Sequence, residues 1–193
     1  MTRFATTLIA LCLAASPALA QTAKPAPKAA AAKAAPAKTA PARSTPKAAP
    51  AGAYDATNPQ TLSDLLTGAG AKVAAPRREG DSVFVGVTST AANFSVQFAG
   101  CNANGRACQA VLFDALADVG APTLTQINGF NQSSVVCRIY QDKQAKPHAT
   151  YAALLLKSDT PESGRTHLAA WQGCLAEAAA FVRDPNAYLA TAP

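Results

Sequence analysis

From residue 82 onward the chain alternates. Val83, Val85 and Val87 fall on one side of an extended segment; Phe94, Val96 and Phe98 repeat the pattern, with Asn93, Ser95 and Gln97 facing the other way. Period two with one apolar face predicts half-buried strands over 82–88 and 93–98. A weaker strand is expected over 72–77, where Pro76 suits an edge because it donates no ladder hydrogen bond. Glu79-Gly80-Asp81 is the turn between these segments. Two further strands are expected over 134–140, with Val135, Cys137 and Ile139 on one face, and over 149–156.

Helical spacing surrounds these strands. Asn58 can cap a helix and Pro59 fits its first position. Leu62, Leu65 and Leu66 then form an apolar face, and Gly68-Ala69-Gly70 ends it. Cys108, Val111, Leu112, Ala115, Leu116 and Val119 recur at helical intervals and predict a helix over 106–119, closed by Gly120. A short helical piece is expected over 122–130. The last helix is expected from Pro161-Glu162 to Val182, with Leu168, Trp171, Cys174, Leu175, Ala178 and Val182 as its buried stripe. Asp184-Pro185 stops it, and 186–193 is expected to be a flexible end. The order α-β-β-β-α-β-β-α predicts an α+β domain over 54–185. Its sheet is mostly antiparallel and five-stranded, with helices packed against it.

Composition changes the picture at the N-terminus. Arg3 precedes an apolar run over 4–15; Ser16-Pro17 breaks the run, and Ala18-Leu19-Ala20 supplies small residues for cleavage. Residues 1–20 read as a secretory signal peptide. The run is shorter than the roughly 20 residues that a membrane-spanning helix needs. Residues 21–53 are almost entirely Ala, Pro, Lys, Thr and Ser, with no acid and no aromatic. Such a segment buries too little apolar surface to offset its ordering entropy, and proline interrupts any alanine helix. The expectation is a disordered, semi-extended tether.

The net charge of +6 belongs to that segment, because every acidic residue lies at or after Asp55. From Gly52 on, the chain is nearly neutral. Export argues against nucleic acid as a partner. The basic tether either contacts an anionic envelope surface or acts as a hydrated spacer, the simpler reading. The expected location is periplasmic or secreted, with no membrane span after the signal.

Catalytic signatures are missing from the sequence. "TGAGAK" follows a helix and lacks the Gly-Lys-Ser/Thr ending, so it reads as a helix stop. His148 and His167 read as surface residues. Asp114 and Asp118 sit four apart on the expected helix and read as a solvated face rather than a metal pair. Asn128 and Asn131 either satisfy backbone groups or bind a ligand. Arg138 either pairs with Asp142 or Asp114, or contacts a partner. No catalytic, cofactor or metal residue is assigned, and no cofactor is expected.

Cys12 leaves with the signal, so Cys101, Cys108, Cys137 and Cys174 remain. An even number in an exported chain favours disulfides. Cys101 and Cys108 flank a short turn at Asn104-Gly105 and meet easily. Cys137 and Cys174 both sit on faces expected to point inward. They either bond, locking the last helix to the sheet, or remain buried thiols.

Several of these features recur in order over 57–182: the helix ending at Gly70, Gly80-Asp81, Phe94-x-Val96-x-Phe98-x-Gly100-Cys101, and Cys108 with Val111 and Phe113. Ile127-Asn128-Gly129-Phe130-Asn131 and Arg138-x-Tyr140 follow. The pattern resembles the YbjN domain family of bacteria. It departs from the family at Phe130, where Trp is frequent, and at Cys137, and it lacks the family's later Gly-Gly turn. The resemblance implies an α+β fold similar to type III secretion chaperones and a role in sensory transduction regulation, with no catalytic residues to carry over. The expected function is a non-enzymatic envelope module that binds a protein or peptide, with Asn128, Phe130, Asn131 and Arg138 as candidate contacts. The competing expectation is a thiol–disulfide redox protein using Cys101 and Cys108, because Cys108 lies near the start of an expected helix.

Overall fold

The computed structural model describes residues 54–117 and 119–192. The signal peptide and tether expected over 1–53, and Asp118, lie outside the described residues. The alternation read above builds a seven-stranded antiparallel sheet, and four helices cover one of its faces. In chain order the elements are α1 (Pro59–Gly68), β1 (Lys72–Val73), β2 (Arg77–Glu79), β3 (Ser82–Thr88), β4 (Asn93–Ala99) and β5 (Ala110–Leu116). Then come α2 (Leu124–Ser133), β6 (Arg138–Gln141), β7 (Pro147–Leu154), α3 (Pro161–Arg183) and α4 (Pro185–Thr191). Among the described residues no helix is long and apolar enough to cross a membrane.

The strands run β1-β3-β4-β5-β7-β6, with β2 also on β3. The expected five strands become seven for two reasons. The weak first strand splits at Ala74–Pro76, so β1 lies against Val87–Thr88 and β2 against Ser82–Phe84 on one edge of β3. Pro76 cannot donate to the ladder, which is why the split falls there.

The second reason corrects the helix expected over 106–119, which is β5. Apolar residues of both parities populate this run, so it fits helical and strand periods equally well. Phe113 decides between them. It has no place on the helical stripe, but in β5 it joins Val111 and Ala115 on the inward face and is fully buried. β5 then pairs on both sides, Val96↔Phe113 with β4 and Phe113↔Tyr151 with β7. Ala107 adopts φ 53°, a left-handed conformation that breaks any helix through Cys108.

Smaller corrections follow β6. Residues 134–137 are not strand: Ser134 caps α2, its N–H donating to the Phe130 carbonyl at 2.9 Å. Val135 therefore points to solvent (87% exposed), while Cys137 and Ile139 are buried. The expected loose end carries α4, where Tyr188 packs against Phe130 and Phe181 at 5.5 and 5.7 Å between ring centroids.

Local chemistry starts the helices where the sequence marks them. Asn58 accepts from Gln60 N–H, and Thr123 and Thr160 form capping boxes with Gln126 and Ser163. Gly120 (φ +84°) closes β5 against α3, where a Cβ would collide with the Val182 carbonyl oxygen.

The core sits between the inward sheet face and α3. Trp171 stacks on Phe113 at 5.6 Å and meets Phe94 edge-on at 5.5 Å. Two disulfides tie this layer together. Cys101–Cys108 closes the β4–β5 connection, and Cys137–Cys174 fastens the start of β6 to α3.

Candidate functional site: the helix-free face of the sheet

The face opposite the helices is assembled by register. Across its middle run Gly86, Ser95, Asp114, Thr150 and Arg138, each opposite the next. The next row is Thr88, Asn93, Leu116, His148 and Tyr140, of which Leu116 and His148 are paired across β5 and β7. Small residues at Gly86 and Ser95 leave a shallow depression of about 600 Å³, walled by Lys72 on one side and by Asp114 and His148 on the other.

A polar cluster forms one end of this depression. Asp114 reaches it because β5 is a strand whose even-numbered residues point outward. Tyr140 Oη donates to Asp114 Oδ2 at 2.9 Å, and His148 Nδ1 lies 2.9 Å from Asp114 Oδ1. An ionised carboxylate only accepts, so this geometry places a proton on Nδ1. Nε2 faces Asp142 Oδ2 at 3.5 Å, and the Tyr140 and His148 rings stack at 4.9 Å.

The β6–β7 turn holds Asp142. Its Oδ1 accepts from the N–H groups of Gln144 and Lys146, both at 2.8 Å. The Lys146 N–H, then the Gln144 N–H and His148, hold this carboxyl below its ordinary pKa despite some opposing desolvation. Tyr140 moves the other way. Partial burial, the hydrogen bond to Asp114 and the charges of Asp114 and Asp142 push it up to about 12. The phenol therefore stays protonated, a fixed donor across the physiological range. Each group of the cluster points at another member, so it presents an oriented polar rim suited to recognition.

At the other end the face is apolar. Leu112 lies between Gln97 and Ala152, and Leu154 stands 73% exposed beside Ala110. Arg77 sits over the Phe84 ring at 5.3 Å and borders this end.

The candidate contacts read from the sequence do not meet here. Phe130 is buried and packs on Phe181 at 4.8 Å. Asn131 spends its side chain on β6, its Oδ1 accepting from Ile139 N–H and its Nδ2 donating to Ile139 O, each at 2.9 Å. Asn128 is exposed on α2. Arg138 alone lies on the helix-free face, its Nη1 donating to the Ser134 and Cys137 carbonyls at 2.7 Å. Neither acid considered for Arg138 takes it: Asp114 and Asp142 are engaged by Tyr140 and His148.

His148 is half-buried in the cluster rather than free on the surface, and His167 bonds Tyr151 Oη at 2.7 Å. Asp114 is on a strand rather than a helix, and Asp118 lies outside the described residues. Among the described residues no cluster of three or more His, Cys, Asp or Glu side chains could hold a metal. Cys101 and Cys108 are bonded and buried at the β4–β5 hairpin. Two disulfides point to an oxidising compartment. Nothing among family models, curated proteins or solved structures matches this chain.

Proposed function

We propose that this chain is an exported, YbjN-like binding or regulatory module, and that it engages a protein or peptide of the cell envelope with the helix-free face of its sheet. The observation that carries this reading is the open depression with a hydrogen-bonded polar rim at Asp114, Tyr140 and His148, on a face whose other end exposes Leu154. Exposed apolar surface rimmed by oriented polar groups is the usual composition of a protein-binding patch. The depression is shallow, which suits a peptide or surface loop better than an enclosed small molecule.

Strand addition is disfavoured on the β6 side. Cys137 N–H donates to Ser134 Oγ at 3.2 Å, and Asn131 takes both backbone groups of Ile139. The periplasm is the compartment this reading requires, and the signal-peptide reading of 1–20 supports it. The redox alternative drew on a helix N-terminus beside Cys108; β5 occupies that place, so the feature expected to activate the thiol is gone.

Affinity capture from envelope extracts, with the chain and its Leu154→Lys and Ser95→Arg variants as baits, tests the proposal. A single partner that is identified, rebinds when purified and is lost with both variants is the expected result. A partner retained equally by all three baits would refute the assignment to this face.

A further inference from the structure

Beside the start of α1, the chain between β4 and β5 and the strand β2 enclose a cleft of about 250 Å³. Arg78 of β2 and Arg106 of the β4–β5 connection both line it, with Asn104 beside them, while Pro59, Pro76 and Val83 give it apolar surface. Arg78 lies opposite Val83, whose side chain is buried on the inward face, so the cleft opens on the helix-covered side of the sheet. Among the described lining residues none is acidic.

The cationic groups are held in place before any ligand arrives. Arg78 Nε donates to the Gly80 carbonyl at 3.0 Å and Nη1 to the Ala103 carbonyl, which fixes the guanidinium and leaves Nη2 uncommitted. The loop that carries Asn104 and Arg106 is closed by the Cys101–Cys108 bond. Within it, Asn102 Oδ1 accepts from the Asn104 and Arg106 N–H groups at 2.9 and 3.1 Å. Just beyond it, Cys108 N–H donates to the Thr57 carbonyl at 2.9 Å. Donors positioned in advance lower the ordering cost of binding. Arg77 is neutralised by Glu79, but among the described residues neither Arg78 nor Arg106 is in an ion pair. The start of α1 supplies a wall rather than donors: Pro59 has no N–H, and the Gln60 N–H is taken by Asn58 Oδ1 at 3.2 Å.

We propose that this cleft binds a small phosphomonoester, with the Arg78 and Arg106 guanidinium groups donating to the phosphate oxygens and the organic substituent resting on Pro59, Pro76 and Val83. Two guanidinium groups from separate segments suit a dianion with three terminal oxygens better than a carboxylate with two. The apolar surface favours a substituted phosphate over inorganic phosphate. This site is separate from the helix-free face and does not depend on what that face binds.

The full chain, labelled with ¹⁵N, is titrated with glycerol 3-phosphate, inorganic phosphate and acetate. Glycerol 3-phosphate is expected to move the Gly105 and Arg106 amide signals saturably, inorganic phosphate to bind more weakly and acetate at least about tenfold more weakly. Arg106→Gln and Arg78→Gln are each expected to weaken glycerol 3-phosphate about tenfold. Arg183→Gln, which removes the same charge outside the cleft, is expected to leave it unchanged. Arg106 is exposed and its side chain holds no other group among the described residues, so Arg106→Gln is expected to keep the wild-type spectrum elsewhere. Vesicles containing phosphatidic acid present the same group on a lipid; retention lost in Arg106→Gln assigns the lipid as its source, and glycerol 3-phosphate binding without such retention assigns a soluble one. No saturable shift at Gly105 and Arg106, equal binding of acetate, or the same loss in Arg183→Gln as in Arg106→Gln would overturn the proposal.

Discussion

Asn131 closes the edge of the sheet at Ile139, occupying both the N–H and the carbonyl that β6 would otherwise turn outward. A side-chain amide supplies one donor and one acceptor in the spacing of a strand, and so stands in for a further strand. An open edge invites pairing with other chains. Asn131→Ala is therefore expected to cost about 1–3 kcal/mol in denaturant unfolding and to promote self-association, seen by light scattering. Asn128→Ala, on the exposed side of α2, is expected to stay within about 0.5 kcal/mol.

The two disulfides differ in the chain they close. Cys101–Cys108 spans a separation of 7 and Cys137–Cys174 one of 37. Loop-closure entropy gives about 2–3 kcal/mol for the first and about 4 kcal/mol for the second. Replacing each pair by alanine is expected to rank in that order in urea unfolding. Non-reducing peptide mapping is expected to recover these two pairings.

Leu112 and Phe113 separate a strand from a helix in this segment. In β5, Phe113 faces Trp171 while Leu112 faces the open side. Phe113→Ala is expected to cost about 3–5 kcal/mol and Leu112→Ala about 1 kcal/mol or less. A helix over 106–119 would place Leu112 in the core and reverse the order.

Acid sensitivity is expected to involve Asp142. Its folded pKa is depressed by the Lys146 and Gln144 N–H groups and by His148. A depressed carboxyl contributes stability that is full above its unfolded value and fades as pH falls through the folded one. Melting temperature should therefore drop below about pH 4, and the drop should be smaller in Asp142→Asn. The neutral amide oxygen still accepts the turn's N–H groups but has no charge to lose.

The tyrosines titrate at the alkaline end. Tyr140 and Tyr188 are each pushed up to about 12, chiefly by burial and then by hydrogen bonds to Asp114 and Glu177; burial also raises Tyr54 and Tyr151. These are the four tyrosines of the chain. Phenolate absorbance at pH 10 is expected to fall well short of half-ionisation. A phenol raised on folding contributes stability that is full below its unfolded pKa and lost as pH rises through the folded one.

Much of the fold was legible where residues of one parity or one helical face were strictly apolar. Phe94, Val96 and Phe98 could only be a strand, and Asn58-Pro59 and Pro161-Glu162 could only start helices. At residues 110–116 apolar residues occur at both parities, because Leu112 and Leu116 lie on the helix-free face, and there the two periods could not be separated locally; Phe113, off the helical stripe, was the signal against a helix, and the left-handed Ala107 shows only in the structure. The site was much less legible. Asp114, Tyr140 and His148 are far apart in sequence and meet only through the registers of β5 with β7 and of β6 with β7. What could be seen was their outward parity, once the strands were known. Phe130 and Asn131 drew notice as a motif because they build the core and the sheet edge.

The reading that the helix-free face is the partner surface is tested most directly by position-specific photocrosslinking in the native envelope. A photoreactive residue at Ala152, at the apolar end of that face, is compared with one at Gly173, exposed on α3 with open space around it. The expected result is one defined crosslinked partner at Ala152, absent at Gly173 and lost on adding Leu154→Lys. The same products from both positions, or a partner at Gly173 alone, would contradict it.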